Sequence, residues 1–304
     1  MALEISASLP EAGAKKKVSL RRKILVEIAK MAVLLSILSP LTLHYAAPYL
    51  LFYPDTNTYN TKDAIDKLHT ALQADFQDVY FPTTDGKKLH AWYFKLPGST
   101  KTFLVSHGNA GNLEYRLLLA TNLLKAGGSV FLYDYQGYGK SEGKPSIKGV
   151  CEDGIAAYDY LVNTRRLKGS DIILYGESLG CAVSTYIAEA RPCAGLVLQS
   201  GFASLIGTAR DKLPWFWLFP DFSLPTPRMD NVAYLAKKHP HVLLIHGMLD
   251  RTLPCRYSDE MFAKATSPKA LVMLPDAGHD DVCVKNLNIY MGAIGNFLRA
   301  LPPG

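Results

Sequence analysis

The chain has 304 residues, 48% of them hydrophobic and 20% charged, enough apolar material for one large core. Its net charge of +6 is concentrated at the start, where residues 1–30 hold seven basic side chains against three acidic ones. The remainder is near neutral, which argues against a clustered basic face for nucleic acid. The five cysteines are odd in number, widely spaced and without a CxxC pair, so they read as buried free thiols rather than a disulfide framework.

Taken in order, residues 1–30 read as a basic, disordered tail. Residues 31–54 then run 24 positions without Asp, Glu, Lys or Arg. That length suits a transmembrane helix, which needs roughly 20 mostly apolar residues. Pro40 and Pro48 would kink it, and neighbouring hydroxyls such as Ser36, Ser39 and Thr42 can satisfy the backbone groups that a proline frees. The expectation is a single-pass, uncleaved signal-anchor helix. A cleaved signal peptide lacks a clear small-x-small site, and an interfacial or hairpin segment is the third alternative. Tyr45, Tyr49 and Tyr53 stand where an aromatic belt would lie. The basic block at the other end predicts a cytoplasmic N-terminus, with the folded domain on the non-cytoplasmic side.

Residues 70–304 are expected to form one α/β domain. The runs 76–81 and 89–96 flank Thr83-Thr84-Asp85-Gly86, a hairpin signal. Beyond residue 100, short apolar runs at 102–105, 130–133, 172–175, 195–198, 242–245 and 271–274 alternate with helical stretches at 113–126, 147–164, 179–190, 256–265 and 286–300. Such alternation predicts a mostly parallel central sheet covered by helices on both faces.

The strongest motif is Gly176-Glu177-Ser178-Leu179-Gly180, between an apolar run and a helix. In that strand–turn–helix setting G-x-S-x-G reads as a nucleophile elbow, whose glycines avoid collisions around a sharp turn. A serine hydroxyl needs a base to take its proton. On such an elbow the partners follow in the order serine, acid, histidine. His279 stands just past the last strand, in Pro275-Asp276-Ala277-Gly278-His279-Asp280-Asp281. Asp250 follows the preceding strand in Leu249-Asp250-Arg251 and would accept the His279 Nδ1–H. Asp276, Asp280 and Asp281 are rivals, but all flank the histidine and would have to fold back onto it. His246 ends a strand before a glycine and reads as structural.

A developing oxyanion needs two N–H donors. Leu179, the residue after the nucleophile, should supply one. The loop Ser106-His107-Gly108-Asn109-Ala110-Gly111-Asn112 should supply the other through the Asn109 backbone, with His107 holding the loop. Asp134-Tyr135-Gln136-Gly137-Tyr138-Gly139-Lys140-Ser141 carries spaced glycines without a phosphate-binding lysine signature, and reads as a tight structural turn beside that loop. No HExxH, EF-hand or Cys/His zinc spacing occurs, so no metal and no cofactor is expected.

The ordered set HGNAGN, DYQGYGKS, GESLG, HGMLD and GHD resembles the α/β-hydrolase superfamily. More closely it is similar to the membrane-anchored hydrolase-domain group, which contains bacterial inner-membrane hydrolases and, more distantly, eukaryotic protein depalmitoylases. The resemblance spans residues 45–304 and implies hydrolysis of carboxylic esters or thioesters, esterase-, thioesterase- or lipase-like, by an acyl-serine intermediate. It leaves the substrate open. A cap region is expected near 205–238, where Trp215, Phe216 and Trp217 could bind an acyl chain, dip into the membrane or simply pack on the core. The expected partners are a small-molecule or lipid-like acyl ester and the membrane. The competing functions are a serine peptidase of the aminopeptidase-like branch and a non-catalytic membrane scaffold.

Overall fold

The computed structural model describes residues 19–37, 39, 49–224 and 226–302. The first helix, α1 (Leu20–Ile37), begins inside the expected tail. Its sequence, LRRKILVEIAKMAVLLSI, is rich in strong helix formers and lacks glycine and proline, which accounts for the early start. None of its residues is buried. Of the expected 31–54 span, residues 38 and 40–48 lie outside the described residues. Among the described residues no helix is long and apolar enough to cross a membrane. The end of that span is built into the folded domain: Phe52 is buried in the core, and Tyr53–Pro54 form the short strand β1. Phe52 therefore serves protein packing, while Tyr53 and Pro54 stay exposed.

An amphipathic helix, α2 (Lys62–Leu72), buries Ile65 and Leu68. The expected hairpin follows as β2 (Asp75–Pro82) and β3 (Lys88–Lys95), paired antiparallel. Next come β4 (Thr102–Ser106), the two-residue β5 (Ala110–Gly111), a 3-10 turn over Leu113–Arg116, α3 (Leu117–Lys125) and β6 (Ser129–Tyr133). Then follow α4 (Ile147–Asn163), β7 (Ile172–Glu177), α5 (Leu179–Ala190) and β8 (Gly195–Gln199). The cap region contains α6 (Leu205–Lys212), 3-10 turns over Pro214–Leu218 and Asp221–Ser223, and α7 (Asn231–Leu235). The chain closes with β9 (His241–Gly247), α8 (Arg256–Lys264), β10 (Lys269–Leu274) and α9 (Leu287–Ala300). Side-chain oxygens start several helices: Ser146 accepts from Gly149 N–H, Ser204 from Gly207 N–H and Asp230 from Ala233 N–H.

Eight strands form one sheet in the order β10-β9-β8-β7-β4-β6-β3-β2. β4 and β6 to β10 pair in parallel, and the β2–β3 hairpin adds to β6 antiparallel. Every residue of β4, β6 and β8 is buried. Strand periodicity divides their side chains between two cores. Leu104, Phe131, Leu174 and Leu196 face one core, with α4, α5 and α8. Phe103, Val130, Ile173 and Val197 face the other, with α2, α3 and α9. Because these strands run parallel, the loops that follow β4, β7, β9 and β10 gather at one edge, the carboxyl ends of the strands, where ligands of open α/β sheets bind. All five cysteines are free thiols, with Cys151 and Cys181 fully buried.

Candidate active site

Ser178 stands between β7 and α5 at φ 54°, ψ −113°, a left-handed backbone that a non-glycine residue adopts only under constraint. Two contacts impose it. The Ser178 N–H donates to Gln199 O at 2.8 Å, on the neighbouring strand. The flanking glycines let the elbow close: a Cβ on Gly176 would come within 2.4 Å of Gly180 O, and one on Gly180 within 1.9 Å of Ser106 O. The GxSxG spacing is thus a requirement of packing between β7, α5 and β4.

His279 Nε2 lies 3.0 Å from Ser178 Oγ, and His279 Nδ1 lies 2.6 Å from Asp250 Oδ2. A carboxylate only accepts, so Nδ1 carries the hydrogen and Nε2 offers its lone pair to the serine hydroxyl. Asp250 is held on both sides. Its Oδ1 accepts the N–H groups of Thr252 and Leu253, each at 2.8 Å. Its Oδ2 also accepts from His246 Nε2 at 3.1 Å. Burial works against the Asp250 charge, but the hydrogen bonds from His246, His279 and Leu253 outweigh it and hold the carboxyl well below the usual range. Burial likewise disfavours protonation of His279, yet the hydrogen bond and charge of Asp250 prevail, and the imidazole is raised above its ordinary value. The sequence thus brings together the three side chains expected to meet. The rivals Asp276 and Asp281 bind Asn286 and the Gly278 N–H instead.

The loop after β4 lies against the elbow: a Cβ on Gly108 would stand 3.5 Å from Ser178 Cβ. Five consecutive carbonyls of this loop are engaged. His107 O accepts from Tyr135 Oη at 2.8 Å and Gly108 O from His107 Nδ1 at 2.7 Å. Asn109 O accepts from both Tyr138 Oη at 2.7 Å and Tyr53 N–H at 2.8 Å. Ala110 O accepts from Arg116 Nη1 at 2.8 Å, and Gly111 O from Asp55 N–H at 3.0 Å. In a trans peptide the N–H points opposite the preceding C=O, so the His107 bond to Gly108 O fixes the direction of the Asn109 N–H. Leu179 N–H opens α5 directly after Ser178, where the free amides of a helix start gather. Asp134 steadies the loop from below. Its Oδ1 accepts Leu113 N–H at 2.8 Å and lies 3.4 Å from His107 Nε2.

The sequence alone does not single out Arg116 and Glu177. Arg116 forks onto Glu177, the residue before the nucleophile, with Nε–Oε2 3.0 Å and Nη2–Oε1 3.3 Å. Burial opposes the Glu177 charge, but Arg116 prevails and holds the carboxyl below its ordinary value. Glu177 occupies a variable position of the motif and Arg116 lies some sixty residues away, so only the fold joins them. A cavity of about 490 Å³ opens beside this pair, lined also by Leu118, Leu119, Asp280 and Val284. The cap aromatics expected at the substrate are not among its lining residues. Phe216 turns inward toward Phe219, Trp215 is half-buried, and exposed Trp217 carries the Arg210 guanidinium over its ring at 4.6 Å. The cap is tied to the acid loop by Lys212, whose Nζ donates to Thr252 O at 3.0 Å.

Residues 101–232 match the family described as the alpha/beta hydrolase fold. An uncharacterized Mycobacterium tuberculosis protein, MT2364, is 37% identical over 224 residues, 73% of this chain and 79% of its own length. The alpha/beta hydrolase domain-containing protein WAV2 of Arabidopsis thaliana is 29% identical over 247 residues, 75% of this chain and 80% of its own. An uncharacterized membrane protein of Saccharomyces cerevisiae, YNL320W, is 32% identical over 219 residues, 69% of this chain and 76% of its own. Among solved structures, the Pyrococcus furiosus esterase Pf2001 superposes with a TM-score of 0.66 at 22% identity, over 83% of this chain and 98% of that one, a likeness of fold.

Proposed function

This chain belongs to the α/β-hydrolase superfamily, and from that membership we propose that it is a serine hydrolase cleaving carboxylic ester or thioester bonds. The observation that carries the proposal is the hydrogen-bonded chain from Ser178 Oγ through His279 to Asp250, at 3.0 and 2.6 Å. In this mechanism His279 Nε2 takes the hydroxyl proton as Ser178 Oγ attacks the acyl carbon. The N–H groups of Asn109 and Leu179 receive the oxyanion. The carbon–oxygen or carbon–sulfur bond then breaks, and the imidazolium returns its proton to the leaving alcohol or thiol. Water, deprotonated by the same imidazole, releases the acid and restores Ser178. A fluorophosphonate probe tests this directly: it should label the wild type and leave Ser178→Ala unlabelled, and equal labelling of both would refute the assignment.

An aminopeptidase-like enzyme would need an acidic subsite for a free ammonium group. Three carboxylates line the cavity, but Glu177 is paired with Arg116, and Asp55 already accepts from Asn57, Tyr59 and Tyr115. That leaves exposed Asp280 alone, which favours the esterase-like activity. Turnover of aminoacyl amides in preference to nitrophenyl esters of graded chain length would reverse this choice.

We also propose that the apolar stretch ahead of Phe52 attaches the enzyme to a membrane, with the basic N-terminus cytoplasmic and the hydrolase domain on the other side. Support comes from the uncharged run starting at Met31, from the exposed apolar side chains of α1, and from the likeness to a yeast membrane protein. Alkaline carbonate extraction should leave the protein with the membrane pellet, and its release into the supernatant would argue against an embedded segment.

A further inference from the structure

The short β1 pairs in parallel with β5, the far end of the loop that carries Asn109. This two-stranded sheet stands apart from the main one. Its bonds run from the segment that enters the domain to the loop beside Ser178: Tyr53 N–H to Asn109 O and Asp55 N–H to Gly111 O. Side chains fasten the same segment. Asn112 Nδ2 donates to Asp55 O at 3.1 Å and to Asn57 O at 2.9 Å, and Asn109 Nδ2 donates to Leu51 O at 2.6 Å. Gly139 N–H donates to Asp55 O at 2.9 Å, which ties in the turn after β6 as well. Phe52 seats the segment by burying its ring in the core.

We propose that the strap Tyr53–Asp55, together with Asn112 that fastens it, positions the oxyanion loop, so that entry of the chain into the domain completes the catalytic machinery. The inference rests on the serine hydrolase assignment. Two successive peptide planes decide where the Asn109 N–H points. The His107 bond to Gly108 O sets the plane that contains the Asn109 N–H, but that plane is hinged at the Asn109 Cα. The next plane, bearing Asn109 O, must also be fixed for the donor to hold its direction, and Tyr53 N–H fixes it together with Tyr138 Oη. The loop has glycine at 108 and at 111, where φ is +79°, so its own backbone restrains it weakly. External bonds must supply the rigidity that an oxyanion hole requires. These residues do not touch the reacting atoms; they are positioning residues.

Two variants of the full chain, purified in detergent, test the strap. Asn112→Asp keeps the side-chain oxygen that accepts Glu114 N–H at 3.0 Å and removes the donor to Asp55 O and Asn57 O. Tyr53→Pro removes the N–H that reaches Asn109 O. A lost oxyanion donor costs about 10²–10³ in kcat, so a loosened one should lower kcat on a nitrophenyl ester by on the order of tenfold, with KM within about twofold. The fraction of enzyme titrated by fluorophosphonate should stay unchanged. Wild-type kcat in both variants would overturn the proposal, as would a loss of activity that only follows a smaller titratable fraction. Absence of Ser178-dependent turnover in the wild type would instead overturn the hydrolase assignment, and the positioning role with it.

Discussion

His246 donates from Nε2 to the same Asp250 oxygen that receives His279, at 3.1 Å. Its Nε2 also reaches Leu253 O at 2.8 Å, and its Nδ1 lies 2.7 Å from Ser258 Oγ. Both Nε2 partners only accept, so Nε2 carries a hydrogen, while the Ser258 hydroxyl can donate or accept at Nδ1. A buried imidazole N–H thus stabilises the carboxylate that orients the catalytic histidine. Replacing Asp250 by Asn would remove the acceptor that selects the His279 tautomer. Asp250→Asn should lower kcat by about 10⁴ while leaving the far-UV circular dichroism intact. Retention of more than a tenth of the activity would move the acid role elsewhere.

The raised His279 basicity sets the pH dependence. The base works as neutral imidazole, so activity falls as pH drops through its pKa, which Asp250 holds above the ordinary value near ~6.5. The acid limb of the kcat/KM profile should therefore lie above ~6.5 in the wild type and move lower in Asp250→Asn. A limb that Asp250→Asn leaves in place would report another group.

The Arg116–Glu177 pair sits directly behind the nucleophile, with the two side chains 13% and 17% exposed. Breaking a buried pair from one side leaves an uncompensated charge, at a cost of about 3–5 kcal/mol, and partial exposure places this pair toward the lower figure. Arg116→Met should lower the melting temperature and the activity together. Arg116→Met combined with Glu177→Leu should recover part of the stability, and a thermal-shift double-mutant cycle measures the coupling.

Gly180 has no room for a methyl group, since its Cβ would stand 1.9 Å from Ser106 O and 2.8 Å from His107 O, both backbone atoms. Gly180→Ala must push α5 away from β4 or prevent closure of the elbow. Urea denaturation should show a loss of about 3 kcal/mol or more, at the upper end of overpacking costs. Gly292→Ala, inside helix α9 with open space around it, provides the contrasting case and should stabilise by about 0.5–1 kcal/mol.

Much of this site was legible in the sequence because it follows strand ends. Each strand candidate after residue 100 lies within an observed strand, since continuous runs such as Val130–Tyr133 are what a sheet buried on both faces requires. Ser178, Asp250 and His279 each follow one of these runs, so their convergence was implied by the sheet itself. The helix over Lys62–Leu72 and the cap helices over Leu205–Lys212 and Asn231–Leu235 were not expected. The two cap helices have eight and five residues, too short to show a helical repeat, and Lys62–Leu72 has a narrow apolar face of Ile65 and Leu68, so tertiary packing stabilises all three.

The sequence determined the order of elements, the elbow with its glycines, and the residues of the hydrogen-bonded chain, because local periodicity and turn chemistry act over a few residues. Only the tertiary structure decided what meets across long separations. It joined Arg116 to Glu177, set His246 against Asp250, and drew Tyr53 and Pro54, the end of an apolar run that reads as membrane anchor, into a strand beside Ala110 and Gly111. Such pairings leave no periodic trace, since a backbone N–H to carbonyl bond places almost no demand on the side chain that carries it.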